Sequence, residues 1–255
     1  MNREHLQLEY GLCFEWGLPG AKAIGADADI AVVVDVLSFT TTLTVALDAG
    51  IDVLPYRWND DSAERYARDS DAVLAVGRSR AANGQISLSP NTIRRSEAPR
   101  RLVLPSPNGS TISFELGAGT GVCVGASLRN ATAVAGWIAR HRTSTSVVSV
   151  IAAGEKWPGG ELRPAIEDLW GAGAVLSALT AIGRGADASP EALAAMTAWC
   201  GVADTLPQSL SACASGRELR ASGYPQDVAI AAEVDRSTAV PVLEDRVFRA
   251  AAQIE

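Results

Sequence analysis

The sequence predicts an α/β fold: a mixed, largely parallel sheet flanked by helices, with a helix-rich C-terminal part. Two observations predict it. Short runs of Val, Ile and Leu recur between residues 30 and 154, nearly continuous rather than alternating, which suits strands buried on both faces. The segments between them have apolar residues at helical spacing, and strand alternating with helix implies parallel pairing through crossovers.

The first run, IAVVVDVL (30–37), leads into TTLTVALDAG (41–50), a helix with Gly50 as its C′ residue. IDVLPY (51–56) is the next strand, and DDSAERYARDS (60–70) an exposed, charged helix. AVLAVG (72–77), RLVLPS (101–106), GVCVGA (121–126) and SVVSVIAAG (146–154) continue the strand series. SLRNATAVAGWIARH (127–141) is a helix whose basic end complements its dipole. RPAIEDLWGAGAVLSALTAIG (163–183) is a long helix with Pro164 in its first turn, and SPEALAAMTAWCG, LPQSLSACASG and DVAIAAEVD (227–235) are further helices. STAVPVLEDRVF returns to extended chain before a final helix. Residues 78–98 and 154–163 are loops too long for simple connectors and mark site loops. The expected organisation is one domain over 1–255, with two lobes, about 1–145 and 146–255, and the site between them.

The 22 Lys and Arg against 29 Asp and Glu give a net charge of −7, a field that repels nucleic acid and anionic membranes. No stretch approaches the ~18 apolar residues of a membrane span, and the start MNREHLQLEYG has no signal-peptide core. Cys13, Cys123, Cys200 and Cys213 are far apart, with no C-x-x-C pair, which favours reduced thiols in a cytoplasm. With only His5 and His141, histidine catalysis is improbable, so any metal must be held by oxygen. A homodimer is compatible with this composition.

Four segments draw attention. Asp35 ends a strand where α/β sheets place their sites. It either binds a cation or acts as base or nucleophile, or else caps a turn. Ser38, Thr40, Thr41 and Thr42 follow where a helix begins; capping accounts for one of them, and the rest suit an anion at the free N–H groups. In LPSPNGSTI (104–112), Gly109 permits positive φ and Asn108 and Ser110 reach toward an oxyanion; without a following lysine it is not a P-loop. After Gly154, Glu167 and Asp168 open a helix, diverging by about 100°, so that one faces solvent and the other the cleft. Farther on, Gly216 precedes Arg217, a candidate anion clamp, and Asp227 caps the next helix. Hydroxyls and carboxylates without histidines point to oxygen-ligated Mg²⁺ and a small anionic, phosphorylated substrate.

At these segments the sequence resembles the 2-phosphosulfolactate phosphatase family of Mg²⁺-dependent acid phosphatases. The matching stretches run in order: VVVDVLSFTTT with ALDAG, AVGR with LSPN, SPNGST, IAAGE with IEDLWGAGAV, and SGRELRASGYPQDV with AAEVDRSTAVPVL. The resemblance implies a three-layer α/β fold of that family's own and hydrolysis of a phosphate ester on a sulfonated three-carbon acid, on the coenzyme M route. It implies Asp35, Asp168 and Asp227 as metal or general-base carboxylates, and Asp35, Glu167 and Arg217 as catalytic groups. Thr41, Thr42, Asn108, Gly109, Ser110, Gly154 and Gly216 would bind substrate. One departure stands out: the family reads Arg-Ala where this chain has Ser38-Phe39, and Arg78 or Arg80 is placed to replace the lost charge.

Overall fold

In the computed structural model, which describes residues 2–57, 61–117, 119, 121–143, 145–183 and 187–252, alternate residues of the first Val-rich run enter two different cores. Val32 and Val34 pack with Ile138 and Leu176 on one face, while Ala31 and Val33 pack with Leu43 and Ile112 on the other. Residues 30–34 are all buried, which is why the run carries no polar alternation. Each such side chain contributes about 1.5–3 kcal/mol relative to exposure.

In chain order the elements begin β1 (Leu12–Trp16), α1 (Gly17–Gly20), β2 (Ile30–Val34), α2 (Phe39–Asp48), β3 (Asp52–Tyr56) and α3 (Asp61–Asp69). Then come β4 (Val73–Leu74), α4 (Pro90–Arg95), β5 (Arg101–Pro105), α5 (Gly109–Leu116), β6 (Val122–Ala126), α6 (Ala131–His141) and β7 (Val148–Ala152). A small hairpin, β8 (Glu155–Lys156) and β9 (Leu162–Arg163), precedes α7 (Ile166–Ala181) and α8 (Pro190–Cys200). The chain continues with α9 (Leu206–Ala212), α10 (Ala214–Ala221), α11 (Pro225–Ala231), β10 (Pro241–Glu244) and β11 (Val247–Ala250).

Among the described residues, nine strands form one mixed sheet in the order β1-β7-β2-β6-β10-β11-β3-β5-β4. The quartet β1-β7-β2-β6 is parallel, and so is the trio β3-β5-β4; the β10–β11 hairpin joins them through three antiparallel pairings. Helices α6, α7 and α8 cover one face of the quartet; α2 and α5 cover the other, giving three layers. Strands from both sides of residue 145 interleave in this sheet, so no break in it falls there.

All six expected strands are present, and Gly50 ends α2 at φ 75° as a C′ glycine should. Several expectations need correction. LCFEW forms β1, an unforeseen edge strand; the extended Val-Pro-Val becomes β10, but strand β11 follows where the final helix was expected to begin, and residues 253–255 lie outside the described residues. The loop 78–98 contains α4, and 154–163 folds into β8–β9. Pro164 precedes α7 rather than lying in its first turn. LPQSLSACASG breaks at Cys213, whose extended ψ of 166° separates α9 from α10. Residue 60, the expected start of α3, lies outside the described residues.

Candidate active site

The strand run ends at Asp35 because its carboxylate ties two helix starts together. Its Oδ1 accepts the Phe39 N–H of α2 at 3.0 Å, and its Oδ2 accepts the Gly109 N–H of α5 at 2.9 Å. The carboxylate thus sits at two positive helix ends. Between β2 and β5 lie five strand steps; about 20–25° of twist at each turns the two carboxyl ends toward one cleft despite their opposed directions. Burial raises the Asp35 pKa above its ordinary value and Glu167 adds to this, while the Phe39 and Gly109 N–H groups and Arg78 oppose it.

The hydroxyls after Asp35 mostly serve the protein itself. Thr40 Oγ1 accepts the Asp35 N–H and donates to the Asp35 carbonyl, and Thr42, expected among the anion donors, donates to Leu88 O at 2.8 Å. Ser38 occupies the N-cap position but makes no capping bond; its hydroxyl accepts from Arg78 Nη2 at 2.5 Å. Thr41 Oγ1 is buried with no hydrogen-bond partner among the described residues.

Helix α7 brings in the next acids. Asp168 accepts the Val36 N–H on Oδ1 at 2.7 Å and the Gly154 N–H on Oδ2 at 2.9 Å, clamping the loops after β2 and β7. Gly154 has φ 66°, and a Cβ there would lie 2.7 Å from Leu162 Cδ1, so the clamp requires glycine. The Asp168 pKa is raised well above the usual range by burial, then by the charges of Asp35 and Glu167. Contrary to the expectation that one of the pair faces solvent, Glu167 is 1% exposed and Asp168 3%. Glu167 Oε2 has no hydrogen-bond partner among the described residues. Its side chain meets Cys213, whose thiol is pushed up to about 12, chiefly by burial.

The 104–112 turn works by close approach. Gly109 is not in the left-handed region; its need for glycine is steric, since a Cβ would lie 2.5 Å from Phe39 Cδ1 and 2.7 Å from Asp35 Oδ2. Gly109→Ala is expected to cost about 1–3 kcal/mol in urea unfolding and to depress phosphate release by displacing Asp35; an unchanged midpoint would show that the turn yields freely. Ser110, expected to face the oxyanion, turns inward and donates to Leu104 O at 2.7 Å. Asn108 Nδ2 donates to Glu155 Oε2 at 2.8 Å. Sequence reasoning passed over Glu155; its one signal is its place directly after Gly154.

Asp227 stands apart from the other acids. It is not the cap of α11, since Pro225 occupies the first helical position and Tyr224 the cap. Its Oδ2 accepts from Arg78 Nε at 3.0 Å and its Oδ1 from Ser89 Oγ at 2.5 Å. Among the described residues no three His, Cys, Asp or Glu side chains converge as a metal-ligating group, so Asp35, Asp168 and Asp227 do not form the expected trio. Arg217 is exposed on α10 and its side chain has no polar partner among the described residues. Gly216 is a packing residue, where a Cβ would meet Leu210 O at 1.9 Å.

Two clefts flank this cluster, with Pro107 in the wall of both. One, of about 490 Å³, is lined by Arg57, Arg78, Ser106 and Tyr224 among others. The second, of about 350 Å³, is lined by Asn108, Glu155 and Lys156 with apolar walls from Leu18, Ile112 and Leu162.

The model of the 2-phosphosulpholactate phosphatase family matches residues 21–246, spanning every acid described above. The chain belongs to the 2-phosphosulfolactate phosphatase family. It is also 33% identical over 227 residues to a Thermus thermophilus protein named probable 2-phosphosulfolactate phosphatase, covering 87% of this chain and 91% of that one. Members are phosphoric monoester hydrolases, and this chain is a phosphatase acting on a small phosphorylated substrate. Among the described residues no helix is long and apolar enough to cross a membrane. The Arg78 guanidinium stands against Ser38 Oγ, as the expectation that Arg78 lies near this position requires.

Proposed function

We propose that this phosphatase hydrolyses 2-phosphosulfolactate to sulfolactate and phosphate in a Mg²⁺-dependent reaction. The observation that carries the reading is a group of four acids, the buried Asp35, Glu167 and Asp168 with the half-buried Glu155. None of them forms an ion pair with a Lys or Arg among the described residues. Their mutual repulsion and the unpartnered Glu167 Oε2 fit a bound cation. Mg²⁺ is commonly held by one or two carboxylates together with waters and substrate phosphate, so the lack of an all-protein cage agrees with it. Asp35 and Glu167 would hold the ion. When bound, it would neutralise phosphate oxygens and lower the pKa of the attacking water.

The remaining roles belong to the chain itself. Arg78 supplies positive charge at the cleft wall, braced by Asp227 and by the Tyr224 ring 5.8 Å beneath its guanidinium. Asp168 fixes the two loops that carry Asp35 and Glu155. The four cysteines are free, in keeping with a cytoplasmic setting. A second reading, a different small anionic phosphate ester, is favoured by Ser38 alone, which stands where the resemblance leads one to expect an arginine. A phosphate-release screen with and without EDTA, using phosphosulfolactate, phospholactate and phosphoglycerate, decides between them. No release from any of the three would overturn both.

The acids also predict how stability responds to pH. Asp35, Asp168 and Glu155 bind protons more tightly folded than unfolded, so their contribution is fullest below the unfolded pKa and is lost as pH rises through the folded one. For Glu155 that window runs from 4.5 to about 7. Mg²⁺ relieves the same repulsion, so saturating ion at ~100 Kd is expected to add about 2.7 kcal/mol. That corresponds to about 5–10 °C in Tm near pH 8, with a smaller shift near pH 5.5. Melting curves with Mg²⁺ and with EDTA at both pH values check this; equal shifts would contradict it.

A further inference from the structure

Hydrolysis of an alkyl phosphate must release a strongly basic oxygen, so a proton has to reach the ester oxygen as the P–O bond breaks. Five acids surround the site, and four are committed elsewhere. Asp35 and Asp168 each hold backbone N–H groups on both carboxylate oxygens. Asp227 is tied to Arg78 and Ser89, and Glu167 is sealed at 1% exposure. Glu155 differs. Asn108 fixes its Oε2, its Oε1 makes no hydrogen bond among the described residues, and the side chain lines the 350 Å³ cleft. Both neighbours are anchored to the acid cluster: Gly154 through its N–H to Asp168, and Asn108 through the adjoining Gly109 to Asp35.

We infer that Glu155 is the general acid that protonates the leaving alcohol oxygen, an assignment that rests on the phosphatase reading. Partial burial, the largest influence on this carboxyl and one that a bound cation does not remove, favours its protonated form. Burial, then the charge of Asp35, push its carboxyl up to about 7; the Glu167 charge acts the same way, against the Asn108 hydrogen bond and the Arg163 charge. Lys156 and Glu161 line the same cleft. In the step, the P–O(ester) bond breaks with its electron pair left on the ester oxygen, which takes the Glu155 proton and departs as alcohol. The attacking water forms the new P–O bond, both its protons remain on the product phosphate, and the Glu155 carboxylate regains a proton from that phosphate or from solvent.

A leaving-group series tests this with wild type and Glu155→Gln, using 2-phosphosulfolactate, phenyl phosphate and p-nitrophenyl phosphate in Mg²⁺. Nitrophenolate leaves without a proton. The variant is therefore expected to lose about 10²-fold or more in kcat on 2-phosphosulfolactate and phenyl phosphate, and less than tenfold on p-nitrophenyl phosphate. Retained nitrophenyl activity also shows that the variant is folded. An equal loss on all esters hydrolysed by wild type, or no loss, overturns the assignment of Glu155 and leaves the phosphatase reading standing. Wild type that releases phosphate from none of them overturns both.

Discussion

Asp35→Asn is expected to lower kcat/KM for Mg²⁺-dependent phosphate release by about 10³-fold, or ~4 kcal/mol, with the fold intact. The amide matches the carboxylate in shape but carries no charge and has only one acceptor oxygen. It keeps the N–H of Phe39 or of Gly109 and sets its NH₂ against the other. That mismatch costs about 1–3 kcal/mol. It is offset because the variant no longer buries a carboxylate whose ionisation its surroundings oppose. The net change in Tm should therefore be a few degrees, while the Tm gain on adding Mg²⁺ disappears. Phosphate release and circular-dichroism melting measure the two effects, and near-wild-type turnover would sink the role given to Asp35.

Arg78→Ala is expected to act first on stability. Asp227, with a side-chain exposure of 1%, keeps only the Ser89 hydroxyl, Ser38 Oγ loses the Arg78 donor, and Leu88 O keeps only that of Thr42. Stranding one partner of a buried pair costs about 3–5 kcal/mol; the remaining Ser89 bond and the 17% exposure of Arg78 place the loss near the lower figure. Removing the stranded charge as well, in Arg78→Ala/Asp227→Asn, should recover much of it, with coupling between the two sites of about 1 kcal/mol or more. Urea midpoints of both singles and the double close the cycle. Additive losses would mean that Arg78 and Asp227 are not coupled as the structure places them.

The fold was largely legible because parallel strands covered on both faces carry an unbroken apolar signal, as residues 30–34 do. The hairpin built on β10, whose Val-Pro-Val was read as extended, was not. Its turn puts Asp245 and Arg246 at positive φ, 49° and 63°, without the Asn-Gly or Asp-Gly pair that normally announces such a turn. At the site, Asp35, Gly109, Gly154, Glu167 and Asp168 were readable as residues of interest, since each stands at a strand-to-helix crossing. Their contacts were not readable. Gly109 was singled out for backbone freedom, whereas the fold needs it for room beside Asp35. Glu155 was missed because Asn108 lies 47 residues away in the chain, a separation that local pattern does not span. For Asp227 the sequence did hold the correcting signal, since Pro225 at the first helical position moves the cap to Tyr224.

The placement of the β10–β11 hairpin bears on the order of assembly. Asp35 follows a strand of the parallel quartet and Gly109 a strand of the trio, and in the sheet only the hairpin's backbone pairing joins the two groups. Its strands come from residues 241–250, far along the chain from both β6 and β3. Without the docked hairpin, β6 and β3 would each present an unpaired edge, open to misplaced strand pairing. Closing the sheet this way demands contacts of long sequence separation, as between Phe248 and Val53, which slows folding. The meeting of Asp35 with Gly109 therefore depends on the keystone hairpin locking the two halves across their seam.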